Sequence, residues 1–417
     1  MSTKKKGNNF KLLTLFLFLG TCVGDYGIGV GIGEGGVWVG GGGGNPNSDP
    51  GSAPKQQTNP AYSALQSWKT AITEDPSGVL KTWVGEDVCS YKGIFCSGSS
   101  VTAIDLNKAN LKGTIVKDLS LLSDLTILHL NSNRFSGQLP DSLRALSSLQ
   151  ELDLSNNRFS GSFPQVVLYI PNLVYLDLRF NGFTGSIPES LFSKQLDAIL
   201  LNNNGFTGEI PGNLGSSSAS LVNLANNKLS GEIPTSFGIS GSKLKEVLFL
   251  NNQLTGCIPE SVGLFSDIEV LDVSFNSLMG HVPDTISCLS EIEVLNLGHN
   301  KFSGDLPDLV CSLRNLLNLT VAYNFFSGFS SECSRISFGF DFVGNCIPGK
   351  GYQRPQPDCS VIPGGSLSCL RIPAQPLTCA AILGLKATSS MIDYYKSRSL
   401  FLILYFAFFQ SDLSDRS

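Results

Sequence analysis

An asparagine returns ten times along this chain, at Asn110, Asn133, Asn157, Asn181, Asn204, Asn227, Asn252, Asn276, Asn300 and Asn324, and successive members lie 23 to 25 residues apart. Around each runs one pattern, L-x-x-L-x-L-x-x-N-x-F/L-x-G-x-I/L-P. A period in this range with this leucine spacing specifies a leucine-rich repeat solenoid. A single repeat is too small to bury its own apolar face, so coils must stack and share one core through nearest-neighbour contacts. The expected fold is an α/β solenoid: a plant-type leucine-rich repeat horseshoe of about ten repeats, with a parallel sheet on the concave face and disulfide-bearing caps at both ends.

The third repeat shows how each position is used. Leu149, Leu152 and Leu154 point inward, while Glu151, Asp153 and Ser155 project outward from a short strand. Asn157 turns the chain, and its amide satisfies backbone groups that have left the ladder. Phe159 fills the core, Gly161 permits the tight path, and Pro164 opens the convex segment. The same roles recur at Phe183, Gly185 and Pro188, and at Phe206, Gly208 and Pro211. These are scaffold positions, not contact residues.

Flanking segments set the compartment. Lys4, Lys5 and Lys6 precede an apolar run from Leu12 to Leu19, so residues 1–24 read as a secretory signal peptide. That run falls well short of the roughly 20 apolar residues a membrane span needs. Residues 25–60 form a Gly/Pro-rich spacer. Residues 61–100 are the N-terminal cap, with Leu65, Trp68 and Ile72 at helical spacing, a break at Asp75 to Gly78, then Trp83. The repeats occupy 101–328, a Cys-rich C-terminal cap 329–362, and an irregular tail without assigned function 363–417. Removal of Cys22 with the signal leaves an even ten of the 11 cysteines. In a secreted chain Cys89, Cys96, Cys257, Cys288, Cys311, Cys333, Cys346 and Cys359, with Cys369 and Cys379, are disulfide candidates. A local Cys89–Cys96 bridge is the preferred pairing. Cys288 and Cys311, 23 residues apart, stack on adjacent repeats and either bridge each other or serve the cap.

A formal net charge of -5 argues against nucleic acid and for basic partners. The outward strand positions define the candidate peptide-binding face: Asp105, His129, Glu151, Asp153, Tyr175, Asp177, Arg179, Asn202, Asn223, Glu246 and Asp272. Acids outnumber bases there, in repeats three, four, seven and eight, with Tyr175 as an aromatic anchor. Asn318-Leu319-Thr320 is an N-glycosylation sequon at an outward position of the last repeat, where a glycan would confine a ligand to the N-terminal and central repeats. His129, His281 and His299 occupy different phases of the repeat, and no Cys or His spacing suits a metal. An open sheet also lacks a pocket to exclude water, so neither catalysis, a cofactor nor a metal is expected.

Several stretches go beyond generic repeat grammar: Trp68 with Asp75-Pro76, Thr82-Trp83-Val84-Gly85, Val88-Cys89-Ser90-Tyr91-Lys92-Gly93-Ile94-Phe95-Cys96, Leu176-Asp177-Leu178-Arg179-Phe180-Asn181, Leu196-Asp197-Ala198-Ile199-Leu200-Leu201-Asn202-Asn203-Asn204, Asp272-Val273-Ser274-Phe275-Asn276, Tyr323-Asn324-Phe325-Phe326 and Asn345-Cys346-Ile347-Pro348-Gly349. Together they resemble the N-terminal half of plant leucine-rich repeat extensin (LRX) proteins, over about residues 60 to 360. The resemblance implies an apoplastic, cell-wall protein without a membrane span. Its repeat domain would bind small basic cysteine-rich peptides of the rapid alkalinisation factor (RALF) type, and disulfide-linked homodimers are associated with the family. The chain departs from the family in its glycine-rich segment at 27–44 and in having no Ser-Pro-Pro-Pro-Pro repeats after the cap, so peptide binding carries over better than wall cross-linking. The rival expectation is a wall protein resembling polygalacturonase inhibitors, which binds a pectin-degrading enzyme.

Overall fold

The computed structural model describes residues 59–362, apart from 239–242, 266 and 336–338. The segments read as signal peptide, spacer and tail lie outside the described residues, as do Cys22, Cys369 and Cys379. A twelve-stranded sheet runs in chain order from Ile94–Ser97 to Gly339–Asp341, and after the longer strands Ile94–Ser97 and Ser100–Asp105 each coil contributes a three-residue strand to it. The first pair is antiparallel, and every later pair is parallel and in register. Middle residues such as Leu128, Leu152, Leu176 and Ile199 align in one inward column. A second sheet of eight strands and a third of three line the opposite side, and short 3-10 turns complete most coils.

The asparagines hold the two sides together. Asn157 donates through Nδ2 to the carbonyls of Leu154 and Ser155 in its own turn and to Leu130 O of the coil before, at 2.8 to 3.1 Å. Its Oδ1 accepts the Phe135 N–H at 2.9 Å. The same set recurs at every ladder member from Asn133 to Asn324, for instance at Asn181 and Asn300. The ladder differs from the expected one at both ends. Asn110 is exposed and off the ladder, its side chain making no such bonds, and the buried ladder position of the first coil is Ala109. The misphasing arises because Lys108 and Asn110 both take positive φ at this first turn, so an asparagine suits position 110 for its backbone alone. At the other end the repeat does not stop at 328. Gly339–Asp341 adds a strand, and the buried Asn345 makes the full set of ladder bonds to Val321, Phe342, Val343 and Phe326.

The caps close the core with aromatic rings. A helix, Pro60–Ala71, begins at Asn59, whose side chain accepts the Ala61 N–H at 2.9 Å, with proline at the first turn. It buries Trp68, which donates to Thr114 O and stacks on Phe135 at 5.8 Å. Phe135, Phe159, Phe183 and Phe206 continue the row at 6.3 to 6.5 Å. Trp83 flanks it, stacked on Tyr91. Cys89 is bonded to Cys96, Cys311 to Cys333 and Cys346 to Cys359. Cys288 and Cys311 therefore do not bridge each other, because Cys311 is taken by the C-terminal cap; Cys257 and Cys288 are in disulfides as well.

Replacing Asn181 by Ala strands four backbone bonds in the interior and should cost about 3 kcal/mol. Asn110→Ala should cost no more than about 1 kcal/mol, because only an exposed left-handed residue is changed. Denaturant midpoints compare the two directly, and equal losses would contradict this assignment of the ladder.

Candidate functional site on the concave face

The outward residues of the long sheet form three columns, set by strand registry. One runs through Glu151, Tyr175, Ala198, Leu221 and Glu246. The next runs through Asp105, His129, Asp153, Asp177, Leu200, Asn223, Leu248 and Asp272. The third, just beyond the strands, carries Arg179 and Asn202.

The second column has a structural job. Asp105 accepts the Asn107 N–H, Asp153 that of Ser155, Asp177 that of Arg179, Asn223 that of Ala225, and Asp272 that of Ser274, at 2.8 to 3.1 Å. Each carboxylate or amide thus caps the backbone two residues on, an Asx turn repeated coil after coil. Asp153 and Asp272 also accept the Ser155 and Ser274 hydroxyls at 2.6 Å. The acids read as a field for basic ligands are therefore largely occupied. Asp177 and Asp272 correct that reading most clearly, because both are buried, where the bonds just named hold them. Asp177 Oδ2 also meets Arg179 Nε at 2.9 Å and Tyr175 Oη at 3.5 Å, while Asp272 Oδ2 accepts from Asn296.

Burial raises both carboxyls, reaching about 7 at Asp177, where Arg179 opposes the rise and Asp153 adds to it. Burial likewise raises the Tyr175 hydroxyl, with Asp177 and Asp153 next. His129 Nε2 lies 3.0 Å from Glu151 Oε2. Glu246 is half-buried and raised first by burial, then by Glu269 and Glu293 on the next two coils. Lys245 pairs with Glu269 at 2.8 Å. Asn318 is exposed on its strand, with Thr320 Oγ1 donating to its Oδ1 at 3.3 Å.

Sequence reasoning missed the position just before each ladder asparagine. It takes φ of +52° to +59° in every coil from Ser132 to Tyr323. Asn or Ser fills it in five coils, but Phe180, Phe275, His299 and Tyr323 fill the others. Phe275, His299 and Tyr323 stack at 4.0 and 4.3 Å, and Phe180, Phe275 and Tyr323 are exposed. The readable signal is an aromatic before the ladder asparagine where other repeats have Asn-Asn, a costly choice at positive φ. The face as built thus offers an acidic patch at Glu246, Glu269 and Glu293, an apolar middle at Leu200 and Leu248, and an aromatic rim. Among the described residues no group of three metal-ligating side chains comes together.

Known proteins match this architecture. Family models for a leucine rich repeat N-terminal domain and for leucine rich repeats match residues 59–97, and 123–183, 267–289 and 291–313. Leucine-rich repeat extensin-like protein 7 of Arabidopsis thaliana is 61% identical over 223 residues, 52% of this chain and 52% of that protein. Leucine-rich repeat extensin-like protein 6 of the same plant is 47% identical over 232 residues, 53% of this chain and 49% of that protein. The chain is thus similar to leucine-rich repeat extensin-like (LRX) proteins over about half of its length, and leucine-rich repeat models match its N-terminal cap and several repeats. It spans about half the length of these LRX relatives. Among solved structures, PEPR1-AtPEP1 aligns with a TM-score of 0.61 and 29% identity, over 68% of this chain and 45% of that one. The Arabidopsis receptor kinase HAESA ectodomain, in complex with an IDA peptide hormone ligand, aligns with a TM-score of 0.60 and 28% identity, over 68% of this chain and 49% of that one. These LRX and receptor matches are to repeat domains, and no catalytic family is indicated.

The raised Asp177 carboxyl sets a pH dependence. Below pH 3.8 the group is protonated folded or unfolded; between 3.8 and about 7 only the folded state keeps the proton, so stability falls as pH rises through that window. Asp177→Asn should flatten this stretch of the stability–pH curve and leave the fold at least as stable at pH 8 as the wild type. Denaturant midpoints at pH 4, 6 and 8 check it; an unchanged slope would mean that the carboxyl is not buried as described.

Proposed function

We propose that this LRX-like chain is a secreted, non-enzymatic binding protein of the plant cell wall whose concave face holds a small basic cysteine-rich peptide of the RALF type. The observation that carries the reading is the acid patch of Glu246, Glu269 and Glu293 on three successive coils, with the Phe275–His299–Tyr323 ring stack, exposed at Phe275 and Tyr323, at the turns that follow the same stretch of the sheet. Cationic side chains are drawn by the first and apolar or aromatic ones by the second. Support comes from solved relatives of the same fold, one of which is described with a peptide hormone ligand. Disulfides in both caps suit an oxidising extracellular compartment, and among the described residues no helix is long and apolar enough to cross a membrane.

Calorimetric titration of the purified protein with RALF-type peptides tests this. Glu246→Lys with Glu293→Lys should weaken binding at least tenfold and reduce its salt dependence, while circular dichroism stays that of the wild type. Absence of peptide binding, together with inhibition of a polygalacturonase, would favour the polygalacturonase-inhibitor-like reading instead. Sedimentation with and without reductant tests the disulfide-linked homodimer, and glycopeptide mass spectrometry tests Asn318.

A further inference from the structure

The second outward column is built to cap backbone, and at two leucines it does not. Asp177, Asn223, Asp272, Asn296 and Asp341 each accept the N–H two residues on. Leu200 and Leu248 stand in the same column by registry, and a leucine accepts nothing, so their coils give up a bond that their neighbours make. Leu200 is buried, while Leu248 is half-buried on the concave side. In the first column Leu221 lies in register between Ala198 and Glu246, and Leu250 follows Leu248 in the third; both are half-buried. A single exposed leucine is ordinary, but these share one corner of the sheet, two strand spacings or ~10 Å across. Asn223 stands among them, registered between Leu200 and Leu248. Its Oδ1 is taken by the Ala225 N–H at 3.1 Å. Its Nδ2 has no hydrogen-bond partner among the described residues and, unlike the unpaired Asn202 Oδ1, is not sealed from solvent.

We infer that this corner seats a bulky apolar side chain of the bound peptide on Leu221, Leu248 and Leu250, with Asn223 Nδ2 donating to a carbonyl of the peptide backbone beside it. The inference deepens the basic-peptide reading and rests on it. An apolar floor with one directed polar group is how binding sites and interface cores hold an anchoring residue. Charge says what the anchor belongs to. Glu246 is registered with Leu221 and shares a strand with Leu248, and Glu269 and Glu293 directly precede the next two strands. Lys245 pairs with Glu269, leaving Glu246 and Glu293 without an ion pair among the described residues. The acids lie one to three coils past Leu221, ~5–14 Å at the strand spacing. Extended chain covers that in about two to four residues. A purely cationic ligand would leave the leucines wet, and a purely apolar one would gain nothing from the acids. The occupant is therefore a peptide whose bulky apolar residue lies about two to four positions from its Lys or Arg.

Two synthetic basic peptides serve as the probe, alike except that one carries Leu and the other Ser about three positions from a Lys-Arg pair. Calorimetry should show the wild type binding the leucine peptide about tenfold more tightly. Leu221→Ser and Leu248→Asn should each bring it down to the affinity of the serine peptide. Leu248→Asn also regains the backbone cap, so its denaturant midpoint should not fall below that of the wild type. A fall with the preference intact would make Leu248 a packing residue and overturn the seat. Asn223→Asp keeps the cap, removes the donor and adds negative charge. It should weaken the leucine peptide severalfold, where attraction of a basic ligand alone would strengthen it; stronger binding overturns the donor. Equal binding of the two peptides by the wild type overturns the seat and leaves the basic-peptide reading standing. Failure of both, and of RALF-type peptides, overturns the two readings together. Oligogalacturonides that displace the leucine peptide and no longer bind Leu248→Asn would assign the corner to a carbohydrate and overturn the peptide occupant.

Discussion

Everything on the concave face depends on how the chain leaves it. A three-residue strand must turn sharply inward, and at that turn carbonyls and N–H groups lose their ladder partners inside an apolar core. One asparagine per coil repairs this, because its amide is both donor and acceptor and reaches its own turn and the coil before it. Aspartate lacks the donors and leucine lacks both. The spacing of coils, the straightness of the outward columns and the aromatic row behind the turn all follow from that bonding. The outward residues are then free to vary, which is the condition for a recognition surface.

Much of this was legible in the residues. The inward leucines, the phenylalanine behind each turn and the cap tryptophans come from periodicity, which burial enforces strictly. The errors lay where two physical roles share one residue type. Asn110 resembles a ladder member because asparagine also tolerates positive φ. Asp153, Asp177 and Asp272 resembled ligand carboxylates because an acid that caps the backbone two residues on has the same letter as one that faces solvent. The last coil escaped notice because Gly339-Phe340-Asp341 lacks the leucine pattern and Asn345 follows Asn324 after only 21 residues. A one-letter string does not say where a side chain's hydrogen bonds go.

The candidate site was legible in part for the same reason. Strand phase alone placed Arg179, Asn202 and Glu246 on the outward side of the sheet, where the structure has them. The aromatic rim was not, because it sits outside the strands, in a backbone conformation that stability alone would give to asparagine or glycine. Four bulky rings at such positions lower the stability of the coils that carry them. The molecule concentrates its unfavourable choices on one surface: a buried carboxyl at Asp177, an unpaired acceptor at Asn202, and rings at positive φ.

The aromatic row in the core has a mechanical side. Rings run from Trp83 through Trp68 and Phe135 to Phe206, give way to Leu229, Leu254 and Leu278, and resume at Phe302 and Phe326. The second sheet changes over in the same stretch, its eighth strand ending at Thr255 and a separate three-stranded sheet starting at Met279. Buried Phe237, Phe249 and Phe265 pack against one another in that stretch, and the concave sheet runs through it without a break. Glu246, Glu269 and Phe275 belong to the coils of that stretch, so a ligand held there would lie across the join between the two side sheets.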